Sequence, residues 1–182
     1  MVLVLAVLAA SAQNPTIKYA DGILECRQVV TVDSTPASKL YVRALEILSD
    51  WAGSQTRSRI NIDVQDKDEG FIVYKGSEYI GYRKANMLYG WDTFADFTLK
   101  VKCKDSRAQI ILTIPTMTFV WDAESKTTYT LPLSEFLPEY RYEGRLTIKK
   151  AARELAPLVP TYAENIVKLI EHGLTRNVAD DF

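Results

Sequence analysis

Between Phe94 and Ile114 the chain alternates so regularly that only one local structure accounts for it. Phe97, Leu99, Val101 and Cys103 hold one parity, and Thr98, Lys100, Lys102 and Lys104 hold the other. Asp105-Ser106 turns the chain back, and Ala108, Ile110, Leu112 and Ile114 resume the apolar parity. A period of two sends alternate side chains to opposite faces of a strand. The result is an antiparallel hairpin with one dry face and one wet face, so the rest of the chain must supply a cover for the dry one. Pro115 ends regular pairing, and Met117 to Trp121 are read as an extension of the strand beyond a bulge.

The cover is legible upstream and downstream. Ile23 to Val32 is a first strand, with Leu24, Cys26, Val30 and Val32 on one side and Glu25, Arg27 and Thr31 on the other. After Thr35 as cap and Pro36 at the first helical position, Tyr41, Ala44, Leu45, Leu48 and Trp51 recur at helical spacing, and Gly53 is read as the stop. Arg59 to Gln65 alternates with Ile60, Ile62 and Val64 on one face. Asp66 to Gly70 then turns it into a second run, Phe71 to Lys75. The segment 121–145 reads as irregular, with a short strand around Thr128 to Leu131. Residues 146–173 read as helical: Leu146 to Leu155, an interruption at Pro157 and Pro160, then Thr161 to His172 ending before Gly173. Beyond that the chain is expected to fray. Strands grouped together and flanked by helices make an α+β domain, here 23–182 behind an N-terminal extension, 13–22.

Composition excludes whole classes of partner. Lys plus Arg number 22 against Asp plus Glu 23, a net charge of -1, so no bulk field draws the chain to nucleic acid. A hydrophobic content of 47% and the absence of repeats or low-complexity runs suit one folded core. Residues 1–12 read as a signal peptide: an apolar run from Val2 to Ala10 and the small residues Ala10-Ser11-Ala12 before Gln13. That run is about half of the ~20 residues a membrane span needs. The expectation is an exported, periplasmic or envelope-associated protein with no transmembrane anchor. Two cysteines in an oxidising compartment invite a Cys26–Cys103 disulfide, worth ~4 kcal/mol on the loop-entropy argument.

The order strand, helix, four strands, helix, with Ser38-Lys39-Leu40-Tyr41-Val42-Arg43-Ala44, Trp51 and the Asp66-Lys67-Asp68-Glu69-Gly70 turn, resembles an exported bacterial family known as domain of unknown function 4468. The resemblance covers roughly the first two thirds of the mature chain and stops before the segment after Trp121. It implies a fold like half of the TATA-binding protein: a curved antiparallel sheet, β-α-β-β-β-β-α, gripped by helices on one face. It implies no activity and no functional residues. In such a sheet the first strand lies beside the last, which sets Cys26 and Cys103 two strands apart. Backbones ~10 Å apart exceed the ~7 Å a disulfide tolerates, so two free, buried thiols are the favoured reading.

No catalytic constellation emerges. His172 is the single histidine and sits where a cation complements a helix C-terminus. Zinc lacks ligands. Asp63, Asp66, Asp68 and Glu69 break the calcium-loop pattern at Gly70 and read as a solvated turn. Glu135 and Glu139 are a carboxylate pair whose spacing says nothing of their separation in space. No nucleotide or hydrolase motif occurs, and no cofactor is expected.

Two features carry the functional expectation. The ladder Lys100, Lys102 and Lys104 lies opposite the core, with Arg59, Asn61, Gln109 and Thr113 expected on the same surface; it is either the wet face of a sheet or a surface for anions or acidic polysaccharide. Tyr79, Tyr82, Tyr89 and Trp91, broken by Gly81 and Gly90, read either as core packing under a loop or as a stacking platform for a glycan, a lipid-derived group or a protein partner. The leading expectation is a non-enzymatic binding module using both. The alternatives are an envelope enzyme with converging carboxylates and a structural assembly subunit.

Overall fold

The computed structural model describes residues 14–121, 127–136 and 144–176. Residues 1–13, which carry the predicted leader, lie outside this range, as do Glu139 and the chain after Arg176.

Seven antiparallel strands make one open sheet: β1 (Thr16–Ala20), β2 (Ile23–Thr31), β3 (Arg59–Asp66), β4 (Phe71–Lys84), β5 (Gly90–Lys104), β6 (Arg107–Trp121) and β7 (Thr128–Pro132). Their order is β1-β2-β6-β5-β4-β3, with β7 pairing the far half of β6. Helices α1 (Ala37–Ser54), α2 (Leu146–Leu155) and α3 (Val159–Thr175) follow β2 and β7 and cover one face. The α+β architecture with one covered face is as the sequence predicts.

The amphipathic hairpin β5–β6 is the centre of the sheet. Leu99, Val101, Cys103, Ala108, Ile110, Leu112 and Ile114 are all buried, against Leu40, Ala44, Leu48 and Trp51 of α1 and Ile166, Val167 and Ile170 of α3. Trp51 meets Phe97 with ring centroids 5.6 Å apart. Pro115 interrupts the regular ladder, and the strand resumes beyond it as expected. The register slips between Asp96/Thr98 and Thr116/Thr113, and β6 changes partner there, from β2 to β7. A proline cannot donate to a ladder, so it occupies the point where the ladder is handed over.

Several details differ from the sequence reading. The extension 13–22 contains β1, paired with β2 from Thr16↔Arg27 to Ala20↔Ile23. Beyond the short strand expected around Thr128, which is β7, the stretch 121–145 contains a 3-10 turn, Leu133–Phe136. The strand β3 bulges between Ile62 and Val64, so its alternation breaks and both side chains are exposed. Thr35 does not cap α1; the Ala37 N–H donates to Asp105 Oδ1 at 2.8 Å. α1 runs one residue past Gly53, and α3 runs past Gly173 to Thr175. Cys26 and Cys103 are free, buried, and separated by β6.

Candidate ligand-binding face

The uncovered face of the sheet carries every second residue of the central strands, and the register shows which of them are neighbours. On β5 these are Asp92, Phe94, Asp96, Thr98, Lys100, Lys102 and Lys104. Lys100 lies between Val73 and Ile111, Lys102 between Phe71 and Gln109, and Lys104 opposite Arg107. Asn61 is two strands over, on β3 beside Lys75, and Thr113 faces Thr98. The face is chemically divided along its length.

At the end nearest the β5–β6 turn, Val29, Lys102, Lys104, Arg107, Ala108 and Gln109 line a cleft of about 250 Å³. Lys100, Lys102, Lys104 and Arg107 form no ion pair among the described residues. Of the charges nearby, Glu25 pairs with Arg27 at 3.2 Å, Asp63 pairs with Lys75 at 2.9 Å, and Asp105 accepts from the α1 N-terminus. Like charges directly across a ladder destabilise a sheet, so the Lys104–Arg107 rung is held against its own repulsion. Arg107 was missed by the sequence reading. Carrying the strand parity through the two-residue turn would have found it.

At the other end, Arg59, Ser77, Asp92, Phe94, Thr118, Val120, Trp121 and Thr128 line a second cleft of about 410 Å³. Arg57 pairs with Asp92 at 3.2 Å and lies 4.2 Å over the Tyr79 ring, which meets Phe94 edge-on at 5.5 Å. Asp96 accepts hydrogen bonds from Ser77, Thr116 (2.8 Å) and Thr118 (2.7 Å), so its carboxylate is saturated by hydroxyls. Arg59 therefore belongs to this cleft and not to the lysine cleft.

The aromatic stretch 79–91 is not a loop. β4 runs through Tyr79 and Tyr82 to Lys84, five residues turn, and β5 begins at Gly90. Trp91 is 1% exposed and packs between Trp121, centroid distance 4.7 Å, and Tyr129, 5.8 Å. Packing is its role. Tyr82 and Tyr89 stay exposed near the turn, and Tyr89 leans on Trp121 at 5.9 Å. The four aromatics thus do not share one platform. Tyr82 crosses the backbone of Gly90, where an added Cβ would come within 2.5 Å of its ring.

Among the described residues no three His, Cys, Asp or Glu side chains converge to hold a metal ion, and no helix is long and apolar enough to cross a membrane. Glu135 sits in the 3-10 turn, and His172, itself exposed, lies in the last turn of α3.

No curated protein matches the chain in sequence. The solved structures that resemble its fold include two bacterial proteins. One is a DUF4468 family protein from Bacteroides ovatus, with a TM-score of 0.63 at 13% identity over 88% of this chain and 91% of that one. The other is a TBP-like protein from Parabacteroides distasonis, with a TM-score of 0.58 at 13% identity over 86% of this chain and 96% of that one. The sequence profile described as domain of unknown function (DUF4468) with TBP-like fold matches residues 27–117, which run from the first core strand through the amphipathic hairpin, and the chain belongs to that family.

Proposed function

We propose that this is an exported, non-enzymatic binding module that takes an anionic ligand, of the acidic-polysaccharide class, on its open sheet face. The observation that carries the reading is the Lys104–Arg107 rung. Four cations, Lys100, Lys102, Lys104 and Arg107, stand together with no ion-pair partner among the described residues, beside the exposed apolar side chain of Val29. A repeating carboxylate or sulfate ligand supplies opposite charge at several points along the ladder, while Val29 contacts the carbon skeleton between them. Export rests on the apolar and small-residue pattern of residues 1–12.

Retention of the full chain on immobilised heparin, eluted with a salt gradient, tests it. Wild type is expected to bind at low salt, and Lys102→Glu/Lys104→Glu to elute with the void, because charge reversal of exposed residues leaves the core untouched. Co-elution of wild type and variant sinks the reading. The leader is tested separately by the intact mass of the protein recovered from the envelope, which should begin at Gln13.

A further inference from the structure

The turn that joins β4 to β5 is apolar at its tip. Met87 is 90% and Leu88 77% exposed, adjacent in sequence, and both lie beyond the last paired rungs of the sheet, Lys84↔Gly90 and Trp91↔Trp121. Apolar side chains this open cost the protein solubility and add nothing to its core. The turn is nevertheless rigidly made. Asn86 Oδ1 accepts from the N–H of Leu88 at 2.9 Å and of Tyr89 at 2.7 Å, and the N–H groups of Ala85 and Asn86 both donate to the Tyr89 carbonyl, at 3.0 and 3.1 Å. A tip wired by four hydrogen bonds holds its two apolar side chains outward without further ordering.

Immediately behind the tip, the residues change character together. Tyr82 is 41% and Tyr89 40% exposed, and Lys84 is an exposed cation with no ion-pair partner among the described residues. Arg83 forms an ion pair with Glu154 of α2 at 2.7 Å. A polarity gradient from Met-Leu through tyrosines to lysine matches the passage from acyl chains through the interface to lipid phosphates. A convex two-residue tip also suits a deformable bilayer, where no complementary pocket is required.

We propose that the β4–β5 hairpin tip, Met87-Leu88 framed by Tyr82, Lys84 and Tyr89, inserts into the interface of a lipid bilayer and holds the open sheet face beside that surface. This goes beyond the anion-binding reading and does not depend on it.

The test is flotation of the full chain with phosphatidylcholine vesicles containing a minor fraction of phosphatidylglycerol. Wild type is expected to float with the vesicles, and Met87→Ser/Leu88→Ser to lose roughly tenfold or more of its vesicle affinity. Both serines replace exposed side chains, so the variant is expected to fold. In the otherwise unchanged protein, Leu88→Trp should give fluorescence that shifts to the blue when vesicles are added. Lys102→Glu/Lys104→Glu should float like wild type. The proposal is overturned if wild type stays in the aqueous fraction, if the double-serine variant floats equally well, or if the Leu88→Trp emission does not move. It is also overturned if Lys102→Glu/Lys104→Glu alone abolishes flotation, since the headgroups would then be held by the cationic cleft.

Discussion

The Asp105 carboxylate, at the turn between β5 and β6, caps a helix that begins 68 residues earlier, accepting the Ala37 N–H at 2.8 Å. The same turn is tied to the chain entering α1 by Ser106 N–H to Thr35 O at 2.8 Å and Val32 N–H to Ser106 O at 2.9 Å. A helix N-terminus with no local side-chain cap thus takes its acceptor from the sheet hairpin it packs on. Replacing Asp105 with Ala should lower stability by about 1 kcal/mol, with Asp105→Asn recovering most of it. Urea denaturation of the two variants checks this, with an unchanged m-value as the sign that only the cap was altered.

Gly173 lies where α3 crosses α1. A Cβ there would come within 2.5 Å of Ile47 Cδ1 and 2.7 Å of its Cγ1. Alanine would gain helix propensity, at most about 1 kcal/mol. Overpacking against a β-branched side chain costs about 1–3 kcal/mol, so Gly173→Ala should destabilise. With Ile47→Ala already in place, the same change should stabilise by about 0.5 kcal/mol relative to that background. A thermal or urea double-mutant cycle reads the reversal of sign.

Glu78 faces the helices from β4, nearly buried, and burial raises its pKa above the ordinary 4.5, partly opposed by a hydrogen bond from Ser58. Its Oε2 has no hydrogen-bond partner among the described residues. In the pH window between the ordinary and the raised value, the folded state binds more protons at this site than the unfolded state does. Stability therefore falls as pH rises through that window and stays lower above it. Glu78→Gln should remove this slope, leaving a variant that gains on wild type as the pH goes from acid to neutral. Unfolding free energies across that range decide it; parallel curves would contradict the assignment.

Burial pushes the thiols of Cys26 and Cys103 up to about 11, with Glu164 adding to the effect and Lys168 opposing it at Cys26. A thiol held protonated under a sheet is a poor nucleophile. Neither should react with a disulfide reagent such as DTNB at mildly alkaline pH while the protein is folded, and both should react in denaturant. Non-reducing mass analysis should find two free thiols even after oxidative handling, because β6 stands between them.

The Lys104–Arg107 rung should also be measurable as strain. Arg107→Glu places opposite charges across the ladder, which favours the sheet by about 0.2–1 kcal/mol over the native pair. The variant should be more stable than wild type while holding acidic polysaccharide less well. Opposite movement of melting temperature and heparin retention marks charges kept for binding.

The sequence alone determined the local elements and their faces. The parity of Phe97 to Cys103 against Thr98 to Lys104 announced the covered and open sides of the sheet, and with them the lysine ladder. Helical spacing of Tyr41 to Trp51 announced the cover. These are relations between near neighbours in the chain, which leave a period that can be counted. The tertiary structure decided the rest. β1 is a short strand, mostly exposed, that the sequence reading left as an extension, and it exists because β2 offers it an edge. β4 passes through Gly76 and Gly81 to Lys84 because β5 pairs with it throughout, which removed the expected loop and buried Trp91. Only the pairing of distant strands split the open face into a cationic cleft around Lys104 and Arg107 and an aromatic one around Arg57, Tyr79 and Phe94. Contacts of this kind join residues far apart in the chain, and the free energy that selects them comes from packing and pairing between elements, which no spacing within one element records.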